Sequence, residues 1–408
     1  MNIGQALKSE ALWYRRSQDL TDVASTNIRL EKLDTYHGVP SGMFQADEHL
    51  AGKMPSHGTE TCAVVEAVVS LAVAGAIIGD PALFERAERV AYNALPASMT
   101  KDMWERVYLQ ASNEADATVQ NPHVWYTDGG DSALFSLEGN YGCCTANMHA
   151  GWPKFTQRAV GWGPSAVAVL MWGPVTAATP NATVVVDTDF PFGDTATVTV
   201  TPTAAAGAAP VPVWLRIPSW AAGATLAVDG GADTPLTGSN GTFFPTATRG
   251  GGQASTFVVN FNPTIRVETF GLNGAASILR GPLLYSAWIG QNVSVLATHP
   301  FNSKDLSVQS TSPFNLALVV GDRENPGADL TFSRLSPPSP VPFNSTDVPL
   351  IITGHARVVA AWSLVNNAPD APPVSPACAT PGACGDPVPV TLVPFGSTHV
   401  RMAVMPTA

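Results

Sequence analysis

The stretch "EGNYGCCTANMHAGWPKF", residues 138 to 155, sets Cys143 and Cys144 side by side in a chain that has five cysteines among 408 residues. A third, Cys62, stands two positions after Glu60 in "HGTETCAVVE", at or just before the start of an apolar helical run. Together they offer one carboxylate oxygen and three sulfurs. Zinc accepts that mixture tetrahedrally, and a vicinal pair supplies two ligands when the chain turns between them. On a regular helix, residues two apart point about 200° away from each other. Glu60 and Cys62 therefore reach one point only if the helix start is irregular. Two plainer readings stand beside the metal: cysteine as a small buried hydrophobe, and a strained vicinal disulfide. Spacing alone leaves all three open.

The elements that must carry these residues change character once along the chain. Up to about residue 157 the pattern is helical: "NIGQALKSEALWYRRSQ" repeats apolar residues at intervals of three and four, and "CAVVEAVVSLAVAGAII" is almost wholly apolar. Asp80 and Pro81 read as N-cap and first residue of the next helix. After residue 158 the rhythm becomes alternating and β-branched, as in "ATVVVDTDF", "TATVTVTP", "STFVVNF" and "ASILRGPLLYSAWI". These runs predict antiparallel strands and one or two β-sandwiches. The expected division is 1–157 helical, 158–290 a β-sandwich, and 291–408 a second sandwich or β region with proline-rich loops at 334–349 and 366–389. Within the last loop Cys378 and Cys384 are spaced for a local disulfide if the chain is exported.

Composition narrows the partners. The chain is 45% hydrophobic and 13% charged, with 35 glycines and 35 prolines, as suits a globular protein rich in strands and turns. A formal charge of −11 argues against nucleic acid or an anionic membrane as partner, and a neutral substrate fits better. The apolar run 67–79 is too short to span a bilayer. The opening residues have no secretory pattern, yet Asn181, Asn240, Asn292 and Asn344 each begin an N-x-S/T triplet. The two signals are reconciled by secretion with a signal segment absent from this chain; otherwise the expected compartment is the cytoplasm.

"TYHGVPSGMFQADEHLAG", "GTETCAVVEAVVSL", "RVAYNALPASMTKDMWERVYLQASNE" and "NYGCCTANMHAGWPKF", in this order, resemble glycoside hydrolase family 127, the β-L-arabinofuranosidases. "VWLRIPSW", "LRGPLLYS" and "VTLVPFGSTHVRMAV" resemble its β-sandwich region. The resemblance implies a multidomain α and β fold, a partial (α/α)6 toroid followed by antiparallel β-sandwich domains. It also implies a retaining glycosidase that releases terminal L-arabinofuranose or a similar sugar from plant-type glycans. By position it assigns zinc to Glu60, Cys62, Cys143 and Cys144, the nucleophile to Cys143, the general acid and base to Glu48, and sugar contacts to Glu88 and Tyr108.

Each of these residues also has an ordinary reading. Glu48 in a loop is a solvated charge, Glu88 beside Glu85 and Arg89 is a surface ion pair, and Tyr108 and Trp104 are core rings. Trp125 could stack on a sugar, and His37, His49, His57, His123 and His149 read as structural or surface residues. The family's toroid has many helices before "TYHG", whereas about 35 residues precede it here. Half a toroid is therefore expected, with an open apolar face. A carbohydrate-binding protein without catalysis, or an inactive fragment with a structural zinc, are the alternative functions.

Overall fold

The computed structural model describes residues 1–408. Its helices gather in the first 156 residues and pack around one of them, Thr61–Ile78, which lies against the neighbouring helices Asn2–Ala6, Ser9–Ser17 and Pro81–Tyr92. This is the almost fully apolar run. Most of its residues are buried inside the protein, which accounts for its composition, and Gly79 ends it with φ 75°. Asp80 caps the next helix as expected, its carboxylate accepting from the Ala82 amide at 2.9 Å. The helical pattern of the N-terminal stretch is met by two helices, Asn2–Ala6 and Ser9–Ser17, separated at Leu7 and Lys8. Gly4 lets the first of them lie close on the buried helix, since a Cβ there would stand 2.7 Å from the Ala63 carbonyl. Trp13, Leu20, Ile28 and Tyr36 on the N-terminal helices remain exposed.

The alternating sequence from 160 to 260 folds into two antiparallel-rich sheets. One has six strands, with Ser255–Asn260, Thr195–Pro202 and Ala182–Asp187 adjacent, and the other joins Thr242–Ala247, Pro212–Ile217, Val167–Val169 and Val160–Trp162. Residues of alternate positions are buried in register, Val184 opposite Val200 and Val198 opposite Phe257. This is the half-buried pattern of strands that pack one face on a core.

The boundary expected at residue 290 falls earlier. Strands Ile265–Thr269, Ala276–Arg280 and Leu283–Ala287 belong to the C-terminal sheet, where Leu283–Ala287 pairs with Cys384–Pro394. Ala276–Arg280 and Leu283–Ala287 are buried along their whole length, so no alternation marked which sheet they join. The same sheet draws in a piece of the helical region, for Asn113 and Glu114 pair with Met402 and Arg401. Cys378 and Cys384 are disulfide-bonded.

Glu88 holds the helical layer to the sandwich and is not at the surface. It is fully buried, ion-paired with fully buried Arg216, and accepts from the Trp172 amide. Arg216 donates from Nε to the Leu170 carbonyl at 2.6 Å, and Trp172 Nε1 donates to the Arg216 carbonyl at 2.8 Å. Neither a surface pair nor a sugar contact describes this position, because the helix Pro81–Tyr92 turns Glu88 inward onto the strand Pro212–Ile217. Arg216→Met would leave the Glu88 carboxylate buried without its partner. The expected loss is about 3–5 kcal/mol of stability, measured by denaturant unfolding.

Candidate metal and catalytic centre

Glu60 is the N-cap of the buried helix, with extended φ/ψ of −61° and 130°, and Cys62 is the second residue of the helix proper. The irregular start that the spacing demanded is therefore present. Thr59 and Glu60 pair with Gln110 and Leu109, and Thr61 donates its amide to the Tyr108 carbonyl at 3.0 Å and its hydroxyl to the Val107 carbonyl at 2.8 Å. Gly58 permits this approach, because a Cβ there would meet Leu109 Cβ at 2.5 Å.

Cys143 and Cys144 open the short helix Cys143–Met148. The loop before it is held by Arg106, which is fully buried and donates to the Gly139 carbonyl, to the Tyr141 carbonyl at 2.6 Å and to Thr145 Oγ1 at 3.2 Å. Glu60, Cys62, Cys143 and Cys144 each bring a ligand atom to one place, all within 4.8 Å of one another. Ligands about 2.3 Å from a shared tetrahedral ion would lie about 3.8 Å apart, so the donor set fits a metal. Cys62 Sγ and Cys144 Sγ are 3.2 Å apart, and all three thiols are free, so Cys143 and Cys144 form no vicinal disulfide.

Without a cation the Cys62 and Cys143 thiols resist ionisation. Burial, then the hydrogen bond and charge of Cys62, push Cys143 up to about 11, while the bond to Cys144 and burial raise Cys62 further. A metal ion between the sulfurs would favour the thiolates of Cys62 and Cys143. Of the four residues Cys143 alone is exposed; Glu60, Cys62 and Cys144 are buried.

Glu48 sits at the tip of a tight turn, with Asp47 paired to His49 across it, and its φ of 66° lies in the left-handed region. A non-glycine residue held there is uncommon and collects at functional sites. Its Oε1 accepts from the hydroxyl of buried Tyr108. The Tyr108 ring meets Tyr141 edge-on at 5.0 Å, two residues before Cys143, so the turn and the cysteine loop share one wall. Burial and then the bond to Glu48 raise the Tyr108 hydroxyl far above its ordinary value, and it stays protonated.

Of the sequence-assigned residues, then, Glu48, Glu60, Cys62, Tyr108, Cys143 and Cys144 are brought together and Glu88 is not. None of the histidines joins the ligand group. His37 accepts from the Gly52 amide at 2.9 Å and His57 lies 3.4 Å from Asp47. Trp125 is buried in one cluster with Cys62, Tyr108 and Cys144. Two residues escaped the sequence reading. Asn147 donates to Cys62 Sγ at 3.1 Å, and its place four residues after Cys143 on one helix face was the available signal. Asp128 is buried, receives a 3.4 Å bond from Asn140 on one oxygen, and has no partner on the other.

The chain thus joins a helical layer bearing a thiol and carboxylate group to β-sheets rich in antiparallel strands. Residues 166–246 match the family model described as the β-L-arabinofuranosidase, GH127 middle domain, and they carry most of the first sandwich. The family reached from motifs in the helical region is thus met again in the sandwich.

Among solved structures, one titled glycoside hydrolase aligns with a TM-score of 0.68 at 14% identity, over 98% of this chain and 65% of its own. A GH127 β-L-arabinofuranosidase from Geobacillus stearothermophilus T6 gives 0.62 at 14%, over 98% and 58%. A GH127 β-arabinofuranosidase gives 0.66 at 15%, over 98% and 59%. At such identities the likeness is one of fold, and the chain spans about three-fifths of these structures. No curated protein matches it by sequence.

Two outcomes test the centre. Native mass spectrometry of the chain supplied with zinc should show one ion, lost in Cys62→Ala. Burial, with the charges of Asp47 and Glu48, raises Asp128 from 3.8 to about 6, so the folded metal-free chain holds a proton that the unfolded chain releases. That contribution is complete below about pH 4 and is lost as pH rises through 6. Asp128→Asn should flatten the corresponding slope in unfolding free energy.

Proposed function

We propose that the chain is a retaining glycoside hydrolase that releases terminal L-arabinofuranose or a similar sugar from plant-type glycans, with Cys143 as nucleophile and zinc at the thiol centre. The observation that carries this reading is the exposure of Cys143 alone among four converging ligands, beside the wall that Tyr108 shares with Glu48. The family model and the GH127 folds support the substrate class. The helices of residues 1–157 are read as part of an (α/α)6 toroid.

A bound zinc ion would hold the cysteines as thiolates at neutral pH. Cys143 Sγ attacks the anomeric carbon while the Glu48 carboxyl gives its proton to the departing glycosidic oxygen, so one C–S bond forms as one C–O bond breaks. Glu48, now a carboxylate, takes a proton from water as that water attacks the same carbon and the C–S bond breaks. Two inversions return the sugar with its configuration retained. Tyr108, held as a hydroxyl by burial, keeps the Glu48 carboxyl aimed through both steps.

Cys143→Ser should lower hydrolysis of an aryl β-L-arabinofuranoside at least about a thousandfold, as removal of a covalent nucleophile does. Wild-type turnover in that variant would remove Cys143 from the role. Glu48→Gln should slow substrates with poor leaving groups far more than those with activated ones, because only the former need the proton.

A further inference from the structure

A cavity of about 580 Å³ opens where residues 99–105 meet the strand Asn292–Thr298 and the turn at 396–399. No ligand of the thiol centre lines it, nor does Glu48 or Tyr108. Two rings on its wall face solvent, Trp104 at 48% and Phe301 at 86% exposure. The turn that presents Trp104 is braced, since Asp102 accepts from the Trp104 amide at 3.3 Å and from Thr100 Oγ1 at 2.6 Å. Phe301 has φ 62°, a region that large side chains seldom adopt.

Two polar side chains of this cavity lack partners within the protein. Ser397 is buried to 2% exposure and its Oγ has no hydrogen bond, and His399 Nδ1 is buried and unpaired. Buried polar atoms are ordinarily satisfied, so two unsatisfied ones on residues that line one cavity point to a ligand. The imidazole is neutral at working pH because burial and Arg401 lower it to about 4, which leaves it one donor and one acceptor. Charges cancel: Lys101 and Lys304 are set against Asp102 and Glu105, and Glu105 already accepts from the Lys304 amide at 3.0 Å. An anion or a cation gains little here. A neutral molecule with an apolar face and several hydroxyls satisfies every feature.

We propose that this cavity is an accessory sugar-binding site, in which a neutral sugar unit of a glycan stacks on Trp104 and Phe301 and bonds through its hydroxyls to Ser397 and His399. The kind of sugar rests on the glycosidase reading; the site itself does not.

Calorimetric titration with a soluble L-arabino-oligosaccharide tests it, on the full-length chain and its Cys143→Ala, Trp104→Ala/Phe301→Ala and Ser397→Val variants. Cys143→Ala should retain binding, the double variant should weaken it at least about tenfold, and Ser397→Val should weaken it less. Both rings are exposed, so the double variant should unfold at the wild-type temperature. Equal affinity of the double variant and the wild type overturns the proposal, as does absence of binding in a chain that hydrolyses an aryl L-arabinofuranoside. Binding sensitive to the double variant in a chain that hydrolyses nothing upholds the site and removes the glycosidase reading.

Discussion

The centre depends on one buried guanidinium. Arg106 has no carboxylate partner and spends its donors on two carbonyls and a hydroxyl of the segment 139–145, which otherwise has little regular structure before the cysteine helix begins. The residues that follow it in sequence do the rest. Val107 and Tyr108 receive Thr61 through their carbonyls, Leu109 pairs with Glu60, and the Tyr108 hydroxyl reaches Glu48. Four consecutive positions, 106 to 109, thus gather three separate pieces of chain. Hydrogen bonds to a charged donor are about twice as strong as neutral ones, which suits a residue that must fix a loop without a strand or a long helix to lean on.

Much of the centre was legible because its chemistry is written in residue types. Three cysteines and a glutamate at helix starts are rare enough to be noticed, and the carboxylate in a "QADEHL" turn was found through the family resemblance. Asn147 and Asp128 were not, since asparagine and aspartate are common everywhere and only their placement gives them a role. Glu88 shows the reverse error. Its neighbours Glu85 and Arg89 made a surface pair the natural reading, and the pairing with Arg216 depends on a strand 128 positions later that local sequence cannot reveal.

The fold was legible in the same uneven way. Alternating burial marked the strands of the first sandwich correctly, because each has one dry face. It failed at 265–287, where Ala276–Arg280 and Leu283–Ala287 are covered on both sides and look like generic apolar runs. Their sheet is decided by partners near residue 390. The helical toroid was an inference from resemblance; what the chain displays is a layer of helices around Thr61–Ile78.

Asn113, three residues beyond the strand that holds Glu60, is itself held by the far end of the chain. Its side chain accepts from the amides of Ala403 and Val404 at 3.1 and 2.9 Å and donates to the Val404 carbonyl at 2.7 Å. Contacts of such sequence separation close a very long loop and form late. On a ribosome, the cysteines would emerge hundreds of residues before the segment that clamps their supporting strand. Synthesis must therefore reach residues 403 and 404 before this clamp on the supporting strand can form.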